Sequence, residues 1–400
     1  MGIEMTDLED AKGIAGAAGK PQFSGEWVRL GDAFELRMGK TPSRKNMAYW
    51  RNGKHDWVSI ADLGTFDKYV GTTKEQISDL AVTKSGIKPA PANTVLMSFK
   101  LSIGKVAITR SPVFTNEAIM ALVDKGKYQI DPTFIYHQCK AKDWTAGSNT
   151  AVMGKTLNKK TLSETRIYLP GFERQIQIAA ELDYLDEQIA LANAVSERLD
   201  SLVKSRFIEM FGDITEQYLL GERLETTSGG TPSRKHPEYY EGGSIPWLTS
   251  GEVNKGKIDT PDHFITEAGL RNSSAKLVPA NSVVVAMYGA TAGQVGLVTY
   301  ETTTNQAVCC IKPNACVAPV FLRYALEFKK DWMIDQCAGG AQPNISQGIV
   351  KKVAIPDVTL ARQQEFADFA SQVDKLRFDV QQQIDKLELL KNSLMQEYFG

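Results

Sequence analysis

The residues best suited to chemistry recur as two short basic turns. Thr41-Pro42-Ser43-Arg44-Lys45 returns as Thr231-Pro232-Ser233-Arg234-Lys235, and each copy is followed by a tyrosine and a tryptophan (Tyr49 and Trp57; Tyr239 and Trp247). A guanidinium or ammonium group suits phosphate oxygens and the acceptors of guanine, while Asn and Gln can bond bidentately to adenine. On those grounds the candidate DNA-contacting residues are Arg44, Lys45, Lys100, Lys105, Arg234, Lys235, Tyr288, Gln294 and Asn305. The competing reading is that the Thr-Pro-Ser turns are structural corners and that Trp57 and Trp247 belong to the core.

Catalytic constellations are missing from the sequence. Gly39-Lys40-Thr41 and Gly154-Lys155-Thr156 lack the earlier glycine of a phosphate-binding loop, since Phe34 and Asn149 stand there. No two of the 16 prolines are adjacent, so the Pro-Pro loop with which amino-methyltransferases grip a flipped base is not present. The four histidines (His55, His137, His236, His263) have no metal-ligand spacing, and the five cysteines form no C-x-x-C pair. The expected catalytic residues and metal ligands are therefore none.

The elements that would position the basic turns belong to a doubled unit. At an offset of 190, positions 41–63 and 231–253 share 8 identities in 23, where roughly one or two would arise by chance. The match continues through Pro91-Ala92-Asn93 and Pro279-Ala280-Asn281, Thr115-Asn116-x-Ala118 and Thr304-Asn305-x-Ala307, and Arg174-Gln175 and Arg362-Gln363. Two copies of so long a unit argue for duplicated domains rather than a solenoid. Each copy opens with β-rich runs (57–60, 94–99, 106–109 and 119–123; 283–288 and 295–299) and has a shorter helix, at 132–143 or 319–337. Each closes with a long heptad helix.

In the first long helix Ile178, Leu182, Leu185, Ile189, Ala192, Ser196, Leu199 and Val203 alternate spacings of 4 and 3. In the second, Phe366, Phe369, Val373, Leu376, Val380, Gln383, Leu387, Leu390 and Leu394 do the same. The expected seam is Leu182, Leu185, Ile189, Leu199 and Val203 against Phe369, Val373, Leu376, Val380, Leu387 and Leu390. Two matching helices in one chain can pair antiparallel, each ~60 Å long. The expected fold class is α+β: two similar globular domains separated by a long antiparallel two-helix coiled coil with pseudo-twofold repetition. The expected boundaries are a flexible arm at 1–24, domains at 25–170 and 213–356, and helices at 171–212 and 357–400.

Charge follows this division. Residues 25–170 hold 22 Lys and Arg against 13 Asp and Glu, a net +9, whereas 172–211 hold 4 against 8 and 357–399 hold 5 against 8. The net charge of −1 thus conceals one block suited to a polyanion and helices suited to protein partners. A hydrophobic fraction of 42% and a charged fraction of 23% exclude disordered and disulfide-scaffold classes. With no apolar run near 20 residues and an acidic N-terminus, neither a membrane span nor an export address is expected. Unpaired cysteines suit a cytoplasmic location.

The doubled Gly-x-Thr-Pro-Ser-Arg turn, the segment Tyr288-Gly289-Ala290-Thr291-Ala292-Gly293-Gln294-Val295-Gly296, Gln342-Pro343-Asn344-Ile345-Ser346 and the long heptad helices together resemble the specificity subunit of type I restriction-modification systems. The likeness covers about 25–400; in the first copy Lys40 replaces the second glycine, and the Gln-Pro-Asn-Ile-Ser element is blurred into 152–159. The resemblance implies two target recognition domains, each reading one half of a bipartite site in double-stranded DNA. It also implies a noncatalytic chain, two modification (methyltransferase) subunits that methylate adenine and restriction/translocase subunits. S-adenosylmethionine, ATP and Mg would belong to those partners, with no cofactor bound by this chain. The alternatives are a self-contained DNA-modifying enzyme and a noncatalytic coiled-coil adaptor that binds protein.

Overall fold

A computed structural model describes residues 24–100, 102–144, 157–337 and 344–400. Residues 1–23 of the expected arm, 152–156, Gln342 and Pro343 lie outside the described residues. The chain divides into two units, one running to Ala192 and taking back Gln383–Gly400, the other comprising Asn193–Gln382.

Unit 1 contains β1 (Gly25–Arg29), α1 (Leu30–Ala33), β2 (Phe34–Met38), β3 (His55–Val58), α2 (Ile60–Leu63), β4 (Glu75–Ile77), α3 (Asp79–Ser85), β5 (Val95–Ser98), β6 (Val106–Ile108), β7 (Phe114–Thr115), β8 (Ile119–Asp124), α4 (Pro132–Ala141), α5 (Lys159–Glu164), β9 (Arg166–Pro170) and the start of α6 (Phe172–Phe211). Its sheets are ordered β2-β8-β5-β6, β4-β3-β7 and β1-β9. Unit 2 continues from α6 with β10 (Gln217–Leu219), α7 (Leu220–Arg223), β11 (Thr226–Ser228), β12 (Ile245–Leu248), β13 (Lys257–Ile258), β14 (Phe264–Ile265), α8 (Glu267–Arg271), β15 (Ser282–Ala286), β16 (Val295–Val298), β17 (Thr303–Thr304), β18 (Val308–Ile311), α9 (Pro319–Glu327), α10 (Lys330–Asp335), α11 (Gln347–Lys351), β19 (Ala354–Pro356) and the start of α12 (Leu360–Phe399). Its sheets, β11-β18-β15-β16-β13, β14-β12-β17 and β10-β19, repeat the topology of unit 1. The fifth strand, β13, runs parallel to β16; a single parallel bridge from Tyr69 to Ile108 holds its place in unit 1.

The central strands read as unbroken apolar runs because both faces of the sheet are covered. In β15, Val283 and Val285 join the core under α9 while Val284 and Ala286 join the opposite core, the two-residue period of a strand. The same alternation places Cys309 and Cys310 on opposite faces, both buried. A buried glutamine ties each front to its long helix. Gln175 accepts from Asp131 N at 3.0 Å and donates to Gln129 O and Pro170 O; Gln363 accepts from Ala318 N at 2.9 Å and donates to Cys316 O and Val358 O. Their repetition in the sequence thus marks a joint at the N-terminus of α4 and α9.

Within unit 1 the start of α6 meets the end of α12: Tyr398 donates to Glu181 Oε2 at 2.6 Å and Lys391 pairs with Asp186. Within unit 2 the end of α6 meets the start of α12, with Arg206 on Glu365 at 3.0 Å and Arg362 donating to Met210 O at 2.6 Å. Both pairings are antiparallel. Along α6, Leu182, Leu185, Ala192 and Val203 are buried, and Ile189 and Leu199 half-buried. Along α12 the stripe is displaced from the expected seam. Val373 is buried and Phe369, Val380 and Leu387 are half-buried, but Leu376 and Leu390 are 54% and 48% exposed, and Gln383 is exposed. Their places in the seam fall one residue later, to Arg377, Lys391 and Ile384. Arg377 pairs with Asp200 and Lys391 with Asp186, so long basic side chains lie along the groove with their charges matched by α6. No described helix is long and apolar enough to cross a membrane.

Candidate nucleic-acid interface

Both Thr-Pro-Ser-Arg-Lys turns are held to the small sheet in the same way. In unit 1 Lys40 N donates to Thr115 O at 2.8 Å and Trp57 Nε1 to Lys40 O at 3.2 Å. In unit 2 Gly230 N donates to Thr304 O at 2.9 Å and Trp247 Nε1 to Gly230 O at 3.0 Å. The tryptophans are buried, so their indole N–H groups brace the loop from the core side. The leading glycine is required by close approach: a Cβ on Gly39 would come within 2.2 Å of Asn116 O, and one on Gly229 within 1.8 Å of Thr304 O. Where unit 2 has Gly230 against Ser274 and Ala275, unit 1 has Lys40, whose ammonium donates to Ser85 O at 2.5 Å at the end of α3.

Beyond each Trp strand lies a buried carboxylate that no motif marks. Asp62 Oδ2 accepts from Ser59 N at 3.0 Å and its Oδ1 from Lys74 N at 3.3 Å; Glu252 Oε2 accepts from Thr249 N at 2.8 Å and its Oε1 from Asp262 N at 3.2 Å. Each closes a helical turn and catches the following loop, a framework role.

The candidate residues separate into free and committed groups. Lys45, Arg234 and Lys235 are exposed. Arg44 is held by Glu75 through both terminal nitrogens and lies 3.8 Å over the Trp50 ring. The bonded Glu75 raises the guanidinium's pKa, and Arg44 holds the Glu75 carboxyl below its ordinary range. Strand register places His263 where unit 1 has Glu75, so the second copy lacks this carboxylate. Lys100 and Tyr288 open equivalent hairpin loops, β5 to β6 and β15 to β16, and Lys105 and Gln294 close them. Lys100 Nζ lies 5.2 Å from the Phe99 ring, Lys105 is packed against Gly64 at the end of α2, and Tyr288 bridges to Asn344. Asn305 takes part in its own turn through one atom. Its Oδ1 accepts from Ala307 N at 3.1 Å, as Asn116 Oδ1 does from Ala118 N at 3.0 Å, so its carbonyl shapes its own turn.

The residue that follows each of these asparagines was missed. The Thr41 hydroxyl donates to Glu117, and the Thr231 hydroxyl to Gln306 Oε1. Thr41 holds the Glu117 carboxyl below its ordinary range against a lesser rise from burial, with Lys100 and Arg44 also close enough to lower it. One signal was available: Thr-Asn-x-Ala is shared by both copies, and only x differs. Among the described residues no group of three or more His, Cys, Asp or Glu could hold a metal ion.

A doubled α+β front carrying paired basic loops, each joined to a 40-residue helix, defines the class. The type I restriction modification DNA specificity domain matches residues 25–201 and again 215–389, and the chain belongs to that family. It is 26% identical over 281 residues to the MjaIX specificity subunit of Methanocaldococcus jannaschii, spanning 64% of this chain and 64% of that relative, just under two-thirds of its length. It is 30% identical over 128 residues to the EcoprrI specificity subunit of Escherichia coli, covering 31% of each. The fold matches the S subunit of a type I restriction-modification system from M. genitalium with a TM-score of 0.59 at 14% identity, over 95% of this chain and 97% of that one. A chain from a study of assembly and conformational transition of the type I system aligns with a TM-score of 0.61 at 17% identity, over 95% and 98%.

Proposed function

We propose that this chain is the DNA-specificity subunit of a type I restriction-modification complex, each unit reading one part of a two-part site in double-stranded DNA. The observation that carries the reading is the family match falling twice, once on each basic-loop front together with most of its long helix. The chain is noncatalytic. Two modification subunits bring S-adenosylmethionine and methylate adenine where the fronts have bound, and restriction/translocase subunits bring ATP and Mg. The assembly works in the cytoplasm. The acidic long helices suit protein partners, and the basic first front suits the phosphate backbone.

Co-expression with candidate modification subunits, followed by methylation mapping of host DNA, tests this. The expected outcome is a gapped two-part motif; methylation without such a motif, or none with any partner, refutes the reading. In a binding assay on the same complex, Lys45→Ala lowers the log-log salt slope by about 0.9 if its ammonium neutralises one phosphate.

A further inference from the structure

We propose that position 117 of the first unit and its counterpart 306 of the second discriminate between bases, Glu117 accepting from the exocyclic amino group of cytosine and Gln306 pairing with adenine. This deepens the reading above and rests on it.

Thr115-Asn116-Glu117-Ala118 and Thr304-Asn305-Gln306-Ala307 are the same turn with one residue changed. The asparagine cap is the same, at 3.0 and 3.1 Å, and its amide is anchored alike, Asn116 N to Val58 O at 3.1 Å and Asn305 N to Leu248 O at 3.0 Å. The variable side chain is exposed in both copies and accepts from the threonine of the basic loop in both. Holding the loop therefore requires only an oxygen acceptor, which Glu and Gln both supply. The difference between them is left over for something outside the chain.

In unit 1 that difference is an exposed carboxylate, one of its oxygens taken by the Thr41 hydroxyl. A carboxylate repels phosphate, so toward DNA it suits a base edge rather than the backbone. There it offers acceptors alone, which match the cytosine N4 amino group. Gln306 Oε1 is bonded to Thr231, and its amide keeps two donors together with a second lone pair on oxygen. That donor-and-acceptor pair fits adenine N7 and N6. One framework thus carries two different readers.

The test is selection of bound duplexes from a randomised library by the assembled complex, wild type and Glu117→Gln in parallel. The substitution keeps the Thr41 bond. The expected result is a change from cytosine to adenine at one position in one part of the motif, with discrimination shifted roughly 10- to 100-fold and the other part unchanged. The reciprocal Gln306→Glu alters the other part instead, and it decides the matter should the first variant fail to fold. A two-part wild-type motif left intact by both substitutions overturns the inference while leaving the proposed function standing, as does an even loss of affinity with no change of preference. A wild-type complex that enriches no motif overturns the function itself.

Discussion

Asp374 on α12 offers the sharpest test of how the second front is fixed to its helix. Its carboxylate receives Arg323 Nη1 at 3.1 Å, the Tyr324 hydroxyl at 2.8 Å and Arg377 Nη1 at 3.0 Å. The Arg323 side chain is only 6% exposed and its Nε has no partner, so this guanidinium depends on Asp374 for its charge balance. Asp374→Ala leaves that buried cation with Glu327 at 3.6 Å, whose own carboxyl is pushed up by burial. Breaking a buried pair costs about 3–5 kcal/mol. Asp374 is itself 22% exposed and water can partly replace it, which puts the expectation near the lower end, about 3 kcal/mol. A two-unit chain need not unfold in one step, so the suitable assay is native-state hydrogen exchange of the α9 amides, expected to speed up about a hundredfold. The pair Arg323→Met with Asp374→Leu should restore part of the protection, because no buried cation is then left without its carboxylate, although the Tyr324 hydroxyl still loses its acceptor. Unchanged α9 exchange in Asp374→Ala, or a double variant as damaged as the single, refutes the argument.

Three further outcomes are expected. Leu390→Gln on the exposed face of α12 changes local stability by less than about 0.5 kcal/mol, whereas Ile384→Ala in the displaced seam costs about 2–5 kcal/mol, as measured by native-state hydrogen exchange of the α12 amides. Burial pushes the Asp183 carboxyl up, but hydrogen bonds from His137 at 2.8 Å and Lys68 at 2.5 Å outweigh it and hold the group below its ordinary range. Its stabilisation is then present above about pH 4 and lost as pH falls through the lowered folded value, so melts at pH 5 and 3 should diverge less in Asp183→Asn than in wild type. Gly229→Ala drives a methyl into Thr304 O and displaces the second basic loop, so under the proposed function the part of the methylation motif assigned to unit 2 should be lost or degraded while the other part persists.

The doubling and the long helices were legible because each rests on local sequence: identities in the basic turns and a heptad that repeats every two turns. The displaced seam of α12 was not, for a physical reason. Arg377 and Lys391 occupy groove positions through their aliphatic stems and meet Asp200 and Asp186, and a search for apolar residues passes over them to the adjacent Leu376 and Leu390. The β1–β9 and β10–β19 pairs leave no local signal, since Trp27 finds Tyr168, and Tyr218 finds Ile355, across some 140 residues. The candidate site was legible in its loops but not in its pairings. Arg44 gave no sign of Glu75, which reaches it only because β4 lies beside β3.

The duplication itself separates framework from reader. Both copies keep the indole bond to the loop carbonyl, the buried carboxylate behind it and the glutamine at the base of the long helix. Each of these satisfies a buried polar group, so changing one leaves a partner unpaired at a cost of about 1–3 kcal/mol. The positions that differ, Glu117 and Gln306, Lys100 and Tyr288, Lys105 and Gln294, Glu75 and His263, are at least partly exposed in the turns and strands around the basic loops. Exposed substitutions away from the framework cost within about 0.5 kcal/mol. Sequence change there alters what the surface can bind while leaving the fold that presents it intact, which under the proposed function is how two copies of one front would come to read different DNA.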